Sequence, residues 1–226
     1  MQIRNLVIVL IIMIVFTSCD HNQKIVTNTN PLCENSKFVM LKLSDSLGIV
    51  TFSIPNRYDT FFQWTDWSDC GKPCATVEYR YQSKKNPIFL ETGFMYKDLT
   101  DSIDQFTIAH SADLYYSDGS RGRGTLARTL LIHKFEMDDF KNRSEYQVKF
   151  DTVEKMDDRY FSIVIYQKYD TLKSQYLKCA SAGTTIKNNC ISFCYTLLTK
   201  QNDSVTKTFI DNAKKLLHTI KISNGI

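Results

Sequence analysis

Apolar and polar residues alternate through most of the chain, which is the pattern of half-buried β-strands. Phe38–Leu43 and Gly48–Ile54 flank a polar Ser-Asp-Ser turn and predict a hairpin. Further strands are predicted at Val77–Tyr81, Ile88–Met95, Tyr146–Val153, Arg159–Tyr169, Leu177–Ala182, Cys190–Thr199 and His218–Ser223. Polar turn sequences separate several of these segments, so we expect neighbouring strands to pair antiparallel.

Helical spacing predicts two helices and leaves a third open. The first rests on Leu99, Ile103, Phe106 and His110. The second rests on Phe209, Ala213, Leu216 and Leu217, and Asp203 or Ser204 supplies its N-cap. The segment Thr125–Phe135 fits a helix and a strand equally well.

These elements predict an α+β fold, an antiparallel sheet meander with about two to three helices packed on it. The opening strand Val50–Pro55, the central meander, and the closing helix and strand follow an order that resembles PsbP-like α/β sandwiches. The resemblance implies a fold and carries over no functional residue.

Composition favours one folded domain. The chain has 226 residues, of which 43% are hydrophobic, and only 8 Gly and 4 Pro. Its formal net charge of +4 is spread along the sequence, and RNP-like, zinc-finger and helix-turn-helix patterns are absent. We therefore expect no nucleic-acid partner.

The start of the chain has the pattern of an export signal. Arg4 precedes the continuous apolar run Leu6–Phe16, which as a helix is about 16 Å long. A membrane span needs roughly 20 residues, so the run is interpreted as a signal peptide. Thr17-Ser18-Cys19 follows and resembles the lipobox of bacterial lipoproteins, although Phe16 replaces the usual Leu.

That resemblance implies a division of the chain at Cys19. Residues 1–18 are the cleaved signal peptide, residues 19–36 are the lipidated cysteine and a polar tether, and residues 37–226 are the domain. Acyl chains such as palmitate on Cys19 anchor the protein to a membrane of the cell envelope, facing the periplasm or the exterior. The alternative is a secreted protein in which Cys19 takes part in a disulfide.

Six cysteines remain once Cys19 is lipidated, and an even number in an exported chain predicts disulfides. The candidates are Cys33, Cys70, Cys74, Cys179, Cys190 and Cys194. Cys70 and Cys74 flank a Gly-Lys-Pro turn and predict a local bridge. On a strand, Cys190 and Cys194 lie roughly 13 Å apart, too far to pair with each other. Cys179 on the preceding strand is the candidate partner of one, and Cys33 in the tether is the candidate partner of the other.

Other chemistry finds little support in the sequence. Walker A, GxGxxG, HExxH and Gly-x-Ser-x-Gly patterns are absent, and the cysteine spacing is poor for zinc, so we expect no cofactor and no metal. His110 is expected in the core. His133 and His218 each lack a second metal ligand at helical or strand spacing.

One short motif recurs. Asp-Ser/Thr followed by an aliphatic residue is similar to the O-glycosylation sequon of Bacteroidota envelope proteins. The resemblance implies glycan on Ser46, Ser102, Thr152, Thr171 or Ser204. Helix caps and strand edges favour the same residue types.

The function predicted from these features is a non-catalytic envelope lipoprotein that binds a protein, glycan or lipid partner. The aromatic segment 61–67, interpreted as a loop, and the basic segment 117–124 are the expected contact surfaces. The alternative is a thiol–disulfide redox protein that uses Cys70 and Cys74.

Overall fold

The computed structural model describes residues 23–25, 35–67, 69, 74–86, 102–112 and 124–223. This part of the chain is α+β, as predicted, with two antiparallel sheets and two helices. The strands are β1 (Gln23–Ile25), β2 (Ser36–Leu43), β3 (Gly48–Pro55), β4 (Thr60–Asp66), β5 (Thr76–Gln82), β6 (Ile103–Ala112), β7 (Gln147–Met156), β8 (Arg159–Asp170), β9 (Gln175–Ile186), β10 (Asn189–Thr199) and β11 (Lys221–Ser223). The helices are α1 (Leu126–Lys141) and α2 (Ser204–Leu217).

The strands divide into a small sheet and a large sheet. The small sheet has the order β1-β2-β3-β11, and the large one has the order β4-β5-β6-β10-β9-β8-β7. β7 to β10 form the predicted meander, with tight turns at Asp157, Ser174 and Asn188, whose φ angles are 58°, 49° and 64°. β10 then pairs along its other edge with β6, which joins the meander to the first half of the chain.

The core lies between one face of the large sheet and a layer made of the small sheet and α2. The Phe52 ring of β3 packs on Tyr81 and Phe106 of the large sheet, with ring centroids 5.5 and 5.1 Å apart. Phe209 and Leu216 of α2 are buried in the same cluster. Burial of such aromatic and aliphatic side chains is the main stabilising contribution.

Helix α1 covers the opposite face of the large sheet, over β7, β8 and β9. Along β8, Phe161 and Ile163 point into the core, whereas Ser162 points to α1 because successive side chains alternate. Thr125 is the N-cap of α1, and its hydroxyl accepts a hydrogen bond from the Arg128 amide at 3.4 Å.

The predicted first helix is wrong: β6 occupies Ile103–Ala112. Phe106, Ile108 and His110 alternate into the interior, and β6 pairs with β5 on one side and β10 on the other. The position of Leu99 lies outside the described residues. Sheet pairing on both edges outweighs a helical spacing that only a few residues support.

Other predictions are confirmed or completed. Asp203 caps α2, and the open segment after Thr125 is the helix α1. The interpretation of segment 61–67 as a loop is wrong, because β4 contains most of this segment. Gln23–Ile25, inside the predicted tether, pairs with β2. The signal peptide and the predicted strand Ile88–Met95 lie outside the described residues.

Candidate functional site

A groove opens at the surface between α2 and the end of β3. Its cavity is about 200 Å³. Its buried floor is formed by Tyr195, Phe209, Ala213 and Leu216. Pro55, Arg57, Tyr58 and Val205 form its sides, and uncharged polar side chains from Asn35, Ser36, Ser204, Thr208 and Asn212 ring its mouth. An apolar floor with a few polar groups is the usual composition of a binding pocket.

A charged network fixes one wall of the groove. Arg57 binds the Asp104 carboxylate through Nε at 2.6 Å and Nη2 at 2.9 Å. Burial lowers the pKa of Arg57, but hydrogen bonds and charge interactions with Asp104 and Tyr58 together outweigh it and raise the pKa overall. The buried Tyr58 hydroxyl donates to the same carboxylate at 2.5 Å. Burial, followed by the charge of Asp104, raises the pKa of Tyr58, so this phenol stays protonated.

The floor and the opposite wall are held by two further anchors. The Tyr195 hydroxyl donates to the Ser53 carbonyl at 2.6 Å and so ties β10 to β3 beneath the groove. The Asp203 side chain accepts from the Thr206 amide at 2.9 Å and fixes the first turn of α2. The groove is therefore preformed by contacts between residues distant in sequence.

A second polar cluster is buried between α1 and the large sheet. The Ser162 hydroxyl donates to Glu136 Oε2 at 2.5 Å, and His133 Nδ1 lies 3.0 Å from the same hydroxyl oxygen. Because the serine has one hydrogen and Glu136 receives it, His133 Nδ1 is the donor in the second bond. His133 Nε2 lies 3.7 Å from Asp151. Burial raises the pKa of Glu136, and the Ser162 hydrogen bond partly offsets this effect.

This cluster has residue types found in hydrolases but not the geometry of an active serine. Ser162 is 1% exposed, and its proton is directed to Glu136 rather than to His133. A nucleophile needs access to substrate and a base that removes its proton. We assign the cluster to packing of α1 on the sheet.

Two cysteines lie beside this cluster, as the sequence predicted for Cys179 and one of the β10 cysteines. Cys179 and Cys194 share the α1 face of the large sheet, with their sulfur atoms 2.8 Å apart. Both carry thiols. Cys190 also carries a thiol and lies four residues earlier on β10.

The other cysteine predictions remain predictions. Cys74 takes part in a disulfide, and its partner is not among the described residues. Cys19, Cys33 and Cys70 lie outside the described residues. β5 begins at Thr76, so the residues after Cys74 form a strand, whereas a thioredoxin-like thiol pair is followed by a helix.

The predicted glycosylation positions are mostly accessible. Ser46, Ser102, Thr171 and Ser204 are exposed, whereas Thr152 is half-buried on β7. At Thr171, the preceding Asp170 accepts from the Leu172 and Lys173 amides at 3.0 and 3.1 Å, so turn formation also favours aspartate there.

The histidines differ from one another. His110 is buried as predicted, 3.3 Å from the Tyr79 hydroxyl. The other two have hydrogen-bonding or charged partners from strands of the large sheet. His133 belongs to the Ser162 cluster, and His218 Nε2 lies 2.5 Å from Glu154. These contacts could not be predicted from sequence spacing, because the partners lie on β7 and β8, far from the histidines in the chain.

The aromatics of segment 61–67 are used in several ways. Phe61 packs on the core, and Trp64 lies under the Arg80 guanidinium at 4.7 Å. Trp67 is 71% exposed. Of the basic segment 117–124, only Gly124 is among the described residues.

Neither a metal-ligand group nor a membrane-spanning helix occurs among the described residues. They contain no group of three or more His, Cys, Asp or Glu arranged to hold a metal ion. They also contain no helix long and apolar enough to cross a membrane.

The chain has low sequence identity to the solved structures that it resembles. No family model matches it, and no curated protein matches it. Among solved structures it is similar to cyanobacterial PsbP (CyanoP) from Synechocystis, with a TM-score of 0.45 and 10% identity over 88% of this chain and 99% of that one. It is also similar to a protein of Bacteroides thetaiotaomicron, with a TM-score of 0.32 and 11% identity over 77% of this chain and 45% of that one.

Proposed function

We propose that the protein is a lipid-anchored, non-catalytic binding module of the cell envelope. Cys19 carries the lipid, and the groove between α2 and β3 holds an apolar side chain of a protein partner. The observation that carries the proposal is the groove itself, with its buried apolar floor and preformed walls.

The size of the groove favours a protein partner. Small-molecule sites enclose about 300–1,000 Å³, whereas this cavity is about 200 Å³. That volume suits one large side chain. In protein interfaces, a single aromatic or aliphatic side chain inserted into a pocket often supplies much of the binding energy.

The rim favours a peptide as well. Asn35, Ser204 and Asn212 carry neutral polar side chains, which match the amide groups of a peptide backbone. The charged side chain Arg57 is already paired with Asp104. Binding here exposes no unpaired charge to an apolar contact.

The binding role is tested by a photocrosslinking amino acid in the full chain in its native host. At Thr208, on the groove mouth, we expect one protease-sensitive adduct. At Lys207, also exposed on α2 but outside the groove lining, we expect none. Val205→Glu, which places a charge on the exposed side of the groove, should abolish the Thr208 adduct without loss of protein.

Two results oppose this role. The same adducts at both positions would mean nonspecific contact, and a protease-resistant adduct at Thr208 would identify a glycan or lipid occupant instead.

The lipid anchor is tested separately with a fatty-acid probe. Labelling should disappear in Cys19→Ala and persist in Cys33→Ala, which removes a neighbouring cysteine of the predicted tether. Labelling that survives Cys19→Ala would contradict lipidation of Cys19 and would not affect the proposed binding role of the groove.

A further inference from the structure

The two cysteines beneath α1 lie where a covalent bond between β9 and β10 is geometrically accessible. Cys179 faces Thr196, and Cys194 faces Ser181, so the cysteines are diagonal neighbours on one face of the sheet. Their sulfur atoms are 2.8 Å apart. A disulfide bond is about 2.0 Å long, so closure requires a movement of less than about 1 Å.

Cys190 does not compete for this bond. It lies on the same face of β10, but a separation of four strand residues is roughly 13 Å. Cys190 faces Thr185, whereas Cys179 lies six residues earlier on β9. The register therefore selects Cys194 as the partner of Cys179.

The two thiols differ in access. Cys179 is 3% exposed, whereas Cys194 is partly exposed. The hydrogen bond with Cys194, followed by burial, raises the pKa of Cys179. The same contact and the Thr196 hydroxyl, 3.3 Å from the sulfur, lower the pKa of Cys194. Cys194, the more exposed of the two residues, is thus also the better thiolate, which is the attacking species in disulfide exchange.

We propose that Cys179 and Cys194 are a disulfide-forming pair, in which Cys194 reacts first with an external small-molecule or protein disulfide and Cys179 then closes the bond. The Cys194 thiolate attacks the external disulfide, forms a mixed disulfide and releases one thiolate. The Cys179 sulfur then attacks the Cys194 sulfur, and its proton passes to the departing second thiolate. The pair loses two electrons, and the external disulfide is reduced to two thiols.

The bond would join two central strands. β9 and β10 both contact α2, and β9 also contacts α1. The bridge encloses the β9–β10 turn and restricts the unfolded chain, which is the main way disulfides stabilise proteins. The site is independent of the groove and of the anchor.

Peptide mapping of the full chain tests the pair directly. The protein is treated with oxidised glutathione, blocked with N-ethylmaleimide and digested with trypsin without reduction. Cleavage after Lys178, Lys187 and Lys200 gives peptides 179–187 and 188–200. We expect them linked, with a mass two hydrogens below the sum of the two peptides and one maleimide on Cys190, and with fragmentation that places the bond on Cys194.

Matched variants distinguish a bond through Cys194 from a bond through the neighbouring Cys190. Cys190→Ser should keep the linked peptide, and Cys194→Ser should lose it. Linkage through Cys190, or maleimide on both Cys179 and Cys194 after oxidation, would overturn the proposal.

Thermal unfolding supplies a second readout. In the Cys190→Ser background, oxidation by glutathione should raise the unfolding midpoint by about 5–10 °C. The same treatment of a variant that also carries Cys194→Ser should leave the midpoint unchanged. An equal rise in both proteins would contradict stabilisation by this bond.

Discussion

The Tyr58 hydroxyl and the Asp104 carboxylate meet at 2.5 Å, joining the segment after β3 to the start of β6. Tyr58 is fully buried and Asp104 also binds Arg57, so one carboxylate accepts three hydrogen bonds from two side chains at the wall of the groove. Loss of an acceptor for a buried donor costs more than the bond itself contributes.

Asp104→Ala should therefore destabilise the protein by about 1–3 kcal/mol, mostly through the stranded Tyr58 hydroxyl. The exposed Arg57 contact adds little, since solvent screens it. Urea unfolding measures the change. Asp139→Ala, which breaks the exposed ion pair with Arg143, is the control and should cost less than about 1 kcal/mol. Equal losses in both variants would contradict the assigned role of Tyr58.

Gly124 occupies a left-handed conformation, with φ of +55°, directly before the α1 N-cap. A Cβ at this position would lie 2.9 Å from Thr184 Oγ1 and 3.3 Å from Arg159 Cβ. Gly124→Ala should therefore lower stability by about 1–2 kcal/mol or more. Thermal unfolding followed by circular dichroism is the measurement.

Gly183→Ala is the matched control for that experiment. Its Cβ would meet Glu136 at 3.7 Å and Ile132 at 3.9 Å, which are ordinary contacts. We expect little change, or a slight gain from reduced backbone entropy in the unfolded chain. A larger loss at Gly183 than at Gly124 would refute the conformational argument.

Glu136 should make stability depend on pH. Burial raises its pKa in the folded protein above the usual 4.5, so the folded state binds the proton more tightly than the unfolded state does. Stability is therefore greatest below the unfolded pKa and falls as pH rises through the folded pKa. Each unit of pKa difference is worth about 1.4 kcal/mol.

Glu136→Gln removes this titration and keeps an acceptor for the Ser162 hydroxyl. We expect the variant to be more stable than the natural protein at neutral pH, with the decline above about pH 4.5 reduced. Unfolding midpoints from pH 4 to 8 measure the effect. Glu145→Gln, at an exposed position, should retain the decline. A steeper decline in Glu136→Gln would reverse the assigned sign.

Glycosylation, where it occurs, should follow exposure. Thr171 precedes Leu172, which is 97% exposed, whereas Thr152 is half-buried on β7. Intact mass of protein from the native host should exceed that of the bare lipoprotein. Thr171→Val should lower the excess by one glycan, and Thr152→Val should not. A mass equal to that of the bare lipoprotein would contradict the prediction that these residues carry glycan.

Most strands were predictable because their side chains alternate between core and polar surroundings. The hairpin of β2 and β3 and strand β10 keep this pattern over most of their lengths, whereas β8 is buried on both faces because α1 covers the side opposite the core. Helix α2 was predictable because its stripe of buried side chains and its Asp203 cap are both local in sequence. These signals need no knowledge of distant residues.

The failures share one cause. In β6, Phe106 and His110 fit a helix and a strand, and only β5 and β10 on its two edges decide between them. In α1, the face toward the sheet includes Thr129, His133 and Glu136, so an apolar stripe is weak. The Ser162 cluster also depends on β8, which lies far along the chain.

The sequence by itself determined the α+β class, most of the strand order and the facing of Cys179 toward β10, because periodicity and hairpin spacing are local. Only the tertiary structure decided that Cys194 is the facing cysteine, because pairing register is set by the whole sheet. It also decided the groove, whose walls come from β3, β10 and α2. Packing brings these segments together although they are distant in sequence, and no local sequence pattern predicts their contact.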